Sequence, residues 1–113
     1  MFRPLIAELS YEEFWALYLN SSNRVLDRVR ISQGGVSATV VDHRLIVKRA
    51  LELLATQLVL IHNHPSGAAA PSPQDKVLTE RVAQAAALFD IRLLDHIIIA
   101  REGDFSFLRA GLV

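Results

Sequence analysis

Two histidines and an aspartate lie close together in the middle of the chain, in the stretch IHNHPSGAAAPSPQD. His62 and His64 end an apolar segment, and Asp75 follows a short loop of proline, serine, glycine and alanine. On a β-strand, side chains two positions apart share a face, with α-carbons about 6.6 Å apart. Both imidazoles are therefore predicted to point the same way, with Asn63 pointing away and Pro65 ending the strand.

Helix-start chemistry predicts where the carboxylate lies. Ser72 and Pro73 suit the N-cap and the first helical position, which places Asp75 in the first turn, where the helix dipole favours the ionised form that a metal needs. Two imidazoles and one carboxylate leave one position of a tetrahedral zinc open to water, as in catalytic zinc sites. Plain helix capping is the alternative for Ser72 and Asp75 alone, and an isolated His-x-His pair is a weak signal for a metal.

The composition limits which chemistry is available. A chain of 113 residues, 51% of them hydrophobic, can form one domain with a core. No cysteine is present, which excludes disulfides, thiolate zinc ligands and a cysteine nucleophile. Twelve basic residues balance twelve acidic ones, so autonomous nucleic-acid binding is not expected. Apolar runs are far below the roughly 18 residues of a membrane span and no signal-peptide pattern follows Met1, which favours a cytoplasmic protein without a membrane partner.

Strand and helix patterns alternate along the chain. The opening EEFWALYLNSSNRVLDRVRI is typical of a β-hairpin, although Ser10 and Glu13 could instead begin a helix over YEEFWALYL. A loop is predicted at Gln33–Gly35, then a helix after an N-cap at Asp42 and a strand at QLVLI. A second helix is predicted from Pro73, with Val77, Leu78, Val82 and Ala85 on its apolar stripe. A strand at IRLLDHIIIA and a short strand at DFSFL are predicted to follow it. This order predicts an α/β fold, a mixed β-sheet flanked by helices.

HNHPSG followed by PSPQD resembles the JAMM (MPN-type) metalloprotease signature in the form found in the RadC family. That signature is His-x-His, seven residues, Ser, two residues, Asp, and His62, His64, Ser72 and Asp75 keep all its spacings. EEFWALYLNSSNRVL, LLDHIII and FSFLRAGLV also resemble RadC. The resemblance implies one RadC-like domain over residues 1–113, a cytidine-deaminase-like three-layer α-β-α sandwich, without the N-terminal helix-hairpin-helix region of full-length RadC proteins.

The resemblance also implies roles for individual residues. His62, His64 and Asp75 would bind one zinc ion per chain, and Ser72 would help to stabilise the oxyanion. The general base would be a glutamate two residues before the Phe of the first strand, which here is Glu12. Strand alternation does not choose between Glu12 and Glu13, because both faces of that strand are largely apolar.

Some positions depart from the family pattern. Gly35-Val36 stands in place of Gly-Thr after the hairpin, and His43-Arg44-Leu45 stands in place of Pro-Arg-Glu at the first helix. These changes bear on substrate contacts and on the packing of that helix rather than on metal binding. His43 and His96 fall outside the motif and are expected to be surface or core histidines.

The first functional hypothesis is a zinc-dependent hydrolase of peptide or isopeptide bonds, with a protein or peptide substrate. The alternative is a non-catalytic protein- or DNA-associated module of a repair-related protein. Zinc-dependent deamination is set aside, because its signature needs cysteine ligands. The physiological substrate and the oligomeric state, for which a homodimer is one option, are not given by the sequence.

Overall fold

The computed structural model describes residues 11–33, 41–65 and 67–113. Along these ranges the elements are β1 Glu13–Leu19, β2 Val25–Gln33, α1 His43–Leu53, β3 Gln57–Asn63, α2 Pro73–Ala87, β4 Arg92–Ala100 and β5 Gly103–Ser106. The predicted order of elements is confirmed, including the short last strand. Ser10 and the two glycines of the predicted QGG loop lie outside the described residues.

The five strands form one mixed sheet in the order β2-β1-β3-β4-β5. β1 pairs antiparallel with both β2 and β3, β4 pairs antiparallel with β5, and β3 and β4 run parallel. A parallel pair needs a crossover connection, and α2 is that crossover. The predicted α/β class is confirmed, and the carboxyl end of the central strand β3 lies beside the start of β1.

The helical alternative for YEEFWALYL is wrong, because β1 is hydrogen-bonded on both sides. Trp15 pairs with Arg30 in β2 and with Ile61 in β3. Aromatic and branched side chains suit this pleated, half-buried position. The turn to β2 is held by Asn20, whose Oδ1 accepts hydrogen bonds from the backbone N–H groups of Ser22 and Arg24.

Both helices pack on the same face of the sheet. The shared core includes Tyr18, Leu58, Leu60 and Leu93 from strands, Ile46 and Ala50 from α1, and Leu78, Val82 and Ala86 from α2. The Tyr18 hydroxyl also donates a hydrogen bond of 2.9 Å to the Ile46 carbonyl, which ties α1 to β1. α1 begins at the predicted N-cap, where the Asp42 side chain accepts from the Arg44 N–H.

The predicted stripe of α2 is wrong at one position. Val77 is 46% exposed, and Thr79 is buried instead. The apolar pattern missed Thr79 because a threonine can be buried at low cost when its hydroxyl is hydrogen-bonded, and here the hydroxyl donates to the Asp75 carbonyl.

The opposite face of the sheet carries a second apolar cluster. Among the described residues its members all come from strands: Leu17, Ile61 and Ile99, with Trp15, Val59 and Ile97 packed against them. The third layer of the expected sandwich is thus not among the residues that the structure describes. In the same ranges, no helix has the length and apolar character needed to cross a membrane.

Candidate metal centre

The two histidines lie where β3 ends. His62 is the sixth residue of the strand and is 1% exposed, whereas His64 follows the strand end, with its N–H bonded to the Ile99 carbonyl. Their ring centroids are 4.8 Å apart. Gly67 then turns the chain at a φ of 96°, a left-handed value that favours glycine, and its N–H bonds to the His64 carbonyl. The predicted shared direction of the two imidazoles is confirmed.

Asp75 comes to the histidines through the cap of α2. Ser72 Oγ accepts a hydrogen bond from the Asp75 N–H at 3.1 Å, and Asp75 Oδ2 accepts from the Ser72 N–H at 2.8 Å. This reciprocal pair is a capping box, with Pro73 as the first helical residue. The predicted helix start is therefore confirmed, and it holds the carboxylate in one orientation.

The three side chains form a group with the dimensions of a metal site. The Nε2 atoms of His62 and His64 are 3.0 Å apart. Asp75 Oδ1 lies 3.3 Å from His62 Nε2, and Asp75 Oδ2 lies 3.2 Å from His64 Nε2. Ligand atoms of a tetrahedral zinc with bonds of about 2.0 Å lie roughly 3.3 Å from one another. The residues therefore fit zinc in both donor type and spacing.

The Asp75 carboxylate is held in its ionised form, the form that binds a cation. Burial on its own would raise the pKa of Asp75, but hydrogen bonds with His62 and His64 outweigh it and hold that pKa far below its ordinary value. The hydrogen bond with Asp75 in turn raises the pKa of His64. The carboxylate is thus ionised at neutral pH, and the side chains of His64 and Asp75 keep 13% and 16% of their surface exposed, which leaves the group open to solvent.

Glu12 and Glu13 lie on different sides of β1. Phe14 pairs with His62, so in this antiparallel arrangement the residues before Phe14 lie next to those after His62. Burial raises the pKa of Glu12, and the charges of His62 and His64 oppose that rise. Glu13 is 5% exposed, and its carboxylate accepts from Trp15 Nε1 and pairs with Arg30. The structure therefore brings Glu12, not Glu13, to the histidines.

Asn63 holds the backbone on both sides of Glu12. It points away from the histidines, as predicted, and is 1% exposed. Its Oδ1 accepts from the Glu13 N–H at 2.7 Å, and its Nδ2 donates to the Tyr11 carbonyl at 2.9 Å. One side chain between the two histidines thus fixes the chain that carries Glu12.

Two buried residues near the site were missed by the sequence argument. His96 lies in β4, is fully buried, and its Nε2 is 2.8 Å from His62 Nδ1. Thr79 Oγ1 is 2.5 Å from His96 Nδ1. Burial lowers the pKa of His96 well below its ordinary value, so the ring is neutral. Of the two expected positions for His96, surface or core, the structure shows the core. Its polar partners could not be predicted, because an apolar strand pattern contains no signal for them.

The remaining histidine lies elsewhere. His43 begins α1 and lines a cavity of about 310 Å³ between α1 and α2, together with Val47 and Phe89. Asp95, next to His96, faces the last turn of the chain: it accepts from Ser106 Oγ at 2.7 Å and from the Leu108 N–H at 2.9 Å. Among the described residues, neither His43 nor Asp95 forms a hydrogen bond with the His-His-Asp group.

Fold and site together define an α/β domain with a His-His-Asp group that can hold a metal ion. Residues 1–112 match the family model described as RadC-like JAB domain, and the chain belongs to that family. The resemblance that the motif indicated is thereby confirmed.

Several bacterial relatives match almost the whole chain. A UPF0758 protein of Flavobacterium johnsoniae is 46% identical over 110 residues, which cover 97% of this chain and 48% of the relative. A UPF0758 protein of Porphyromonas gingivalis is 47% identical over 111 residues, which cover 97% and 49%. The UPF0758 protein YfjY of Escherichia coli is 44% identical over 108 residues, which cover 96% and 68%. The chain therefore spans about half the length of the first two relatives.

Proposed function

We propose that this domain is a zinc-dependent hydrolase of peptide or isopeptide bonds, with one zinc ion per chain held by His62, His64 and Asp75. The observation that carries the proposal is the convergence of two imidazole nitrogens and one carboxylate at 3.0 to 3.3 Å, on the side of the sheet where Glu12 lies.

When bound, zinc would supply a lowered pKa for an attacking water and polarisation of the scissile carbonyl. Glu12 would take the proton from that water and pass it to the leaving amine, which is the work of a general base and then a general acid. Partial burial suits Glu12 to this work, because a raised pKa brings a carboxylate closer to neutral pH, where proton transfer in both directions is efficient.

Ser72 would stabilise the oxyanion of the tetrahedral intermediate. As the N-cap, its Oγ accepts the Asp75 N–H through a lone pair, and this bond does not use the hydroxyl proton. That proton can donate to a developing negative charge, and a donor fixed in place before reaction is the arrangement that lowers such barriers. The same capping bond holds the Ser72 side chain in place.

The substrate would be a protein or peptide, whose scissile carbonyl reaches the exposed edge of the His64 and Asp75 side chains. A non-catalytic role is the alternative outcome, and it would appear as zinc binding without cleavage of any peptide.

The test combines a metal assay with a peptide-library cleavage screen on wild type and Glu12→Gln. We expect one zinc per chain in both proteins, with cleavage in the wild type alone. Wild-type protein that binds no zinc after reconstitution would contradict the proposal, as would cleavage that survives in Glu12→Gln.

A further inference from the structure

A buried chain of hydrogen bonds leads away from the metal-facing side of His62. His62 Nδ1 is 2.8 Å from His96 Nε2, and His96 Nδ1 is 2.5 Å from Thr79 Oγ1. Thr79 Oγ1 donates a hydrogen bond of 2.6 Å to the Asp75 carbonyl oxygen. His62, His96 and Thr79 are 1%, 0% and 2% exposed. This series of hydrogen bonds therefore runs through the core and ends on the backbone of Asp75, whose carboxylate lies in the site.

The end of the chain fixes the direction of every bond in it. A carbonyl oxygen can only accept, so the single proton of the Thr79 hydroxyl goes to Asp75. Thr79 Oγ1 must then accept from His96, which places the His96 proton on Nδ1. A neutral imidazole carries one proton, so His96 Nε2 has a lone pair and accepts from His62 Nδ1–H. When the His62 ring is neutral, its Nε2 is consequently left with a lone pair directed into the site.

We propose that Thr79 and His96 are positioning residues that hold His62 in the one tautomer able to bind a metal through Nε2. This inference rests on the proposed function, since it takes the His-His-Asp group to be a metal site. Metal-binding histidines depend in general on the partner of their other ring nitrogen, which fixes both tautomer and ring orientation. Here that partner is a second histidine, whose own tautomer is set by a threonine.

Aromatic packing fixes the planes of the His62 and His96 rings, so the hydrogen bonds only have to determine which nitrogen of each ring carries the proton. Phe14 stacks on His62 with centroids 5.5 Å apart at 18°, and Phe107 stacks on His96 at 4.7 Å and 10°. Phe14 also meets the His96 ring edge-on. Since apolar rings cover these faces, each imidazole turns its nitrogens along the chain.

His64 reaches the same tautomer by a shorter route. Its Nδ1 lies 3.1 Å from the Ala68 carbonyl, which can only accept, so the neutral ring also presents a lone pair at Nε2. Two nitrogen lone pairs and a carboxylate then face one another at 3.0 to 3.3 Å. Such an arrangement repels itself unless a proton or a metal ion lies between the groups.

The first measurement is ring NMR on the wild type. Long-range proton–nitrogen correlation of the histidine rings, in metal-free protein at about pH 8.5, reports which nitrogen carries the proton. We expect Nδ1–H for both His62 and His96. A proton on Nε2 of His62 would overturn the proposal, whatever the variants do.

The second measurement is zinc affinity in a matched pair of variants, determined by competition with a chromophoric chelator. Thr79→Val keeps the shape of the side chain and removes the hydroxyl, and Thr79→Ser keeps the hydroxyl. We expect Thr79→Val to bind zinc about 10- to 100-fold more weakly, the usual effect of losing such an outer partner, and Thr79→Ser to stay within a few-fold of wild type. Equal affinity of folded Thr79→Val and wild type would overturn the proposal.

A third variant, His96→Phe, keeps an aromatic ring against Phe107 and removes both nitrogens. It should weaken zinc binding as Thr79→Val does, and should leave His62 a mixture of tautomers in the NMR measurement. If wild type binds no zinc, the proposed function fails, and the His62 tautomer in metal-free protein still decides this inference by itself. Where Thr79→Val does not fold by circular dichroism, the wild-type spectrum decides in the same way.

Discussion

Glu12 and Glu13 are neighbours with the same side chain, yet their surroundings give them different properties. Glu12 lies near the charges of His62 and His64, and partial burial raises its pKa. Glu13 lies on the other face of the sheet, where its carboxylate is bonded to Trp15 and Arg30. Strand alternation separates the two faces, and only one face contains the histidines. The difference in surroundings therefore comes from the position of each glutamate on the strand, not from its residue type.

The largest expected effect is on turnover. Glu12→Gln should lower kcat by about 10²- to 10⁴-fold, the usual contribution of a general base, because a neutral amide cannot take the proton. Glu13→Gln should stay within a few-fold of wild type, because its side chain faces away from the histidines. Steady-state kinetics of both variants on the best peptide from the screen make the comparison, and equal losses would remove the distinction drawn between the two glutamates.

The next effect concerns Asn63, which bonds to the backbone on both sides of Glu12. Asn63→Ala should release that backbone and lower kcat by about 10²-fold, the cost of a displacement of around 1 Å, with zinc affinity unchanged. Kinetics together with a zinc titration measure both quantities.

Asn20→Ala is the matched control for Asn63→Ala. The Asn20 side chain also makes two hydrogen bonds to the backbone, accepting from two N–H groups in the turn between β1 and β2. It should lower the free energy of unfolding with no effect on kcat. A similar loss of kcat in both variants would mean that stability, and not the position of Glu12, is responsible.

The pH dependence of stability should reveal the partial burial of Glu12. A raised pKa means that the Glu12 contribution to stability is complete below the unfolded pKa of about 4.3 and is lost as pH rises through the folded value. At neutral pH, metal-free Glu12→Gln should therefore unfold at a higher temperature than wild type, and the difference should vanish at acidic pH. Thermal unfolding between about pH 4 and pH 8 measures this, and a difference independent of pH would contradict it.

The smallest effect is expected at Glu13. Its ion pair with Arg30 spans 3.5 Å, and the Arg30 side chain is 50% exposed. Such solvated pairs contribute below about 1 kcal/mol, and the amide oxygen of glutamine can still accept from Trp15 Nε1. Urea unfolding of Glu13→Gln should therefore give nearly wild-type stability, and a loss of several kcal/mol would show that this carboxylate matters more to the fold than its contacts suggest.

The order of elements was predictable because each carries a local signal. Asp42 and Ser72 begin helices by capping, and β-branched runs bounded by turns form strands. The His-His-Asp group could also be predicted, since His62, His64 and Asp75 are close together in the sequence. The buried Thr79 could not, because its partner His96 lies 17 residues away and nothing in a single pattern pairs them.

The choice between Glu12 and Glu13 required the pairing of β1 with β3 in the sheet. Both faces of β1 are apolar, so strand alternation alone does not show which glutamate shares a face with the histidines. That depends on the pairing of Phe14 with His62. That register is a contact between segments about fifty residues apart, fixed by packing on both faces of the sheet. Chemistry that depends on such long-range pairing lies outside what a local pattern can predict.

The central place of β3 has a consequence for how the domain fluctuates. β2 and β5 are the edges of the sheet, while β3 is bonded to a neighbour on each side. Local opening begins at edges and exposed turns, and amide hydrogens of central strands exchange with solvent only when much of the domain opens. The amides of Leu60 and His62 should thus be among the slowest to exchange, and the His62 side chain should stay in place while the outer strands open and close.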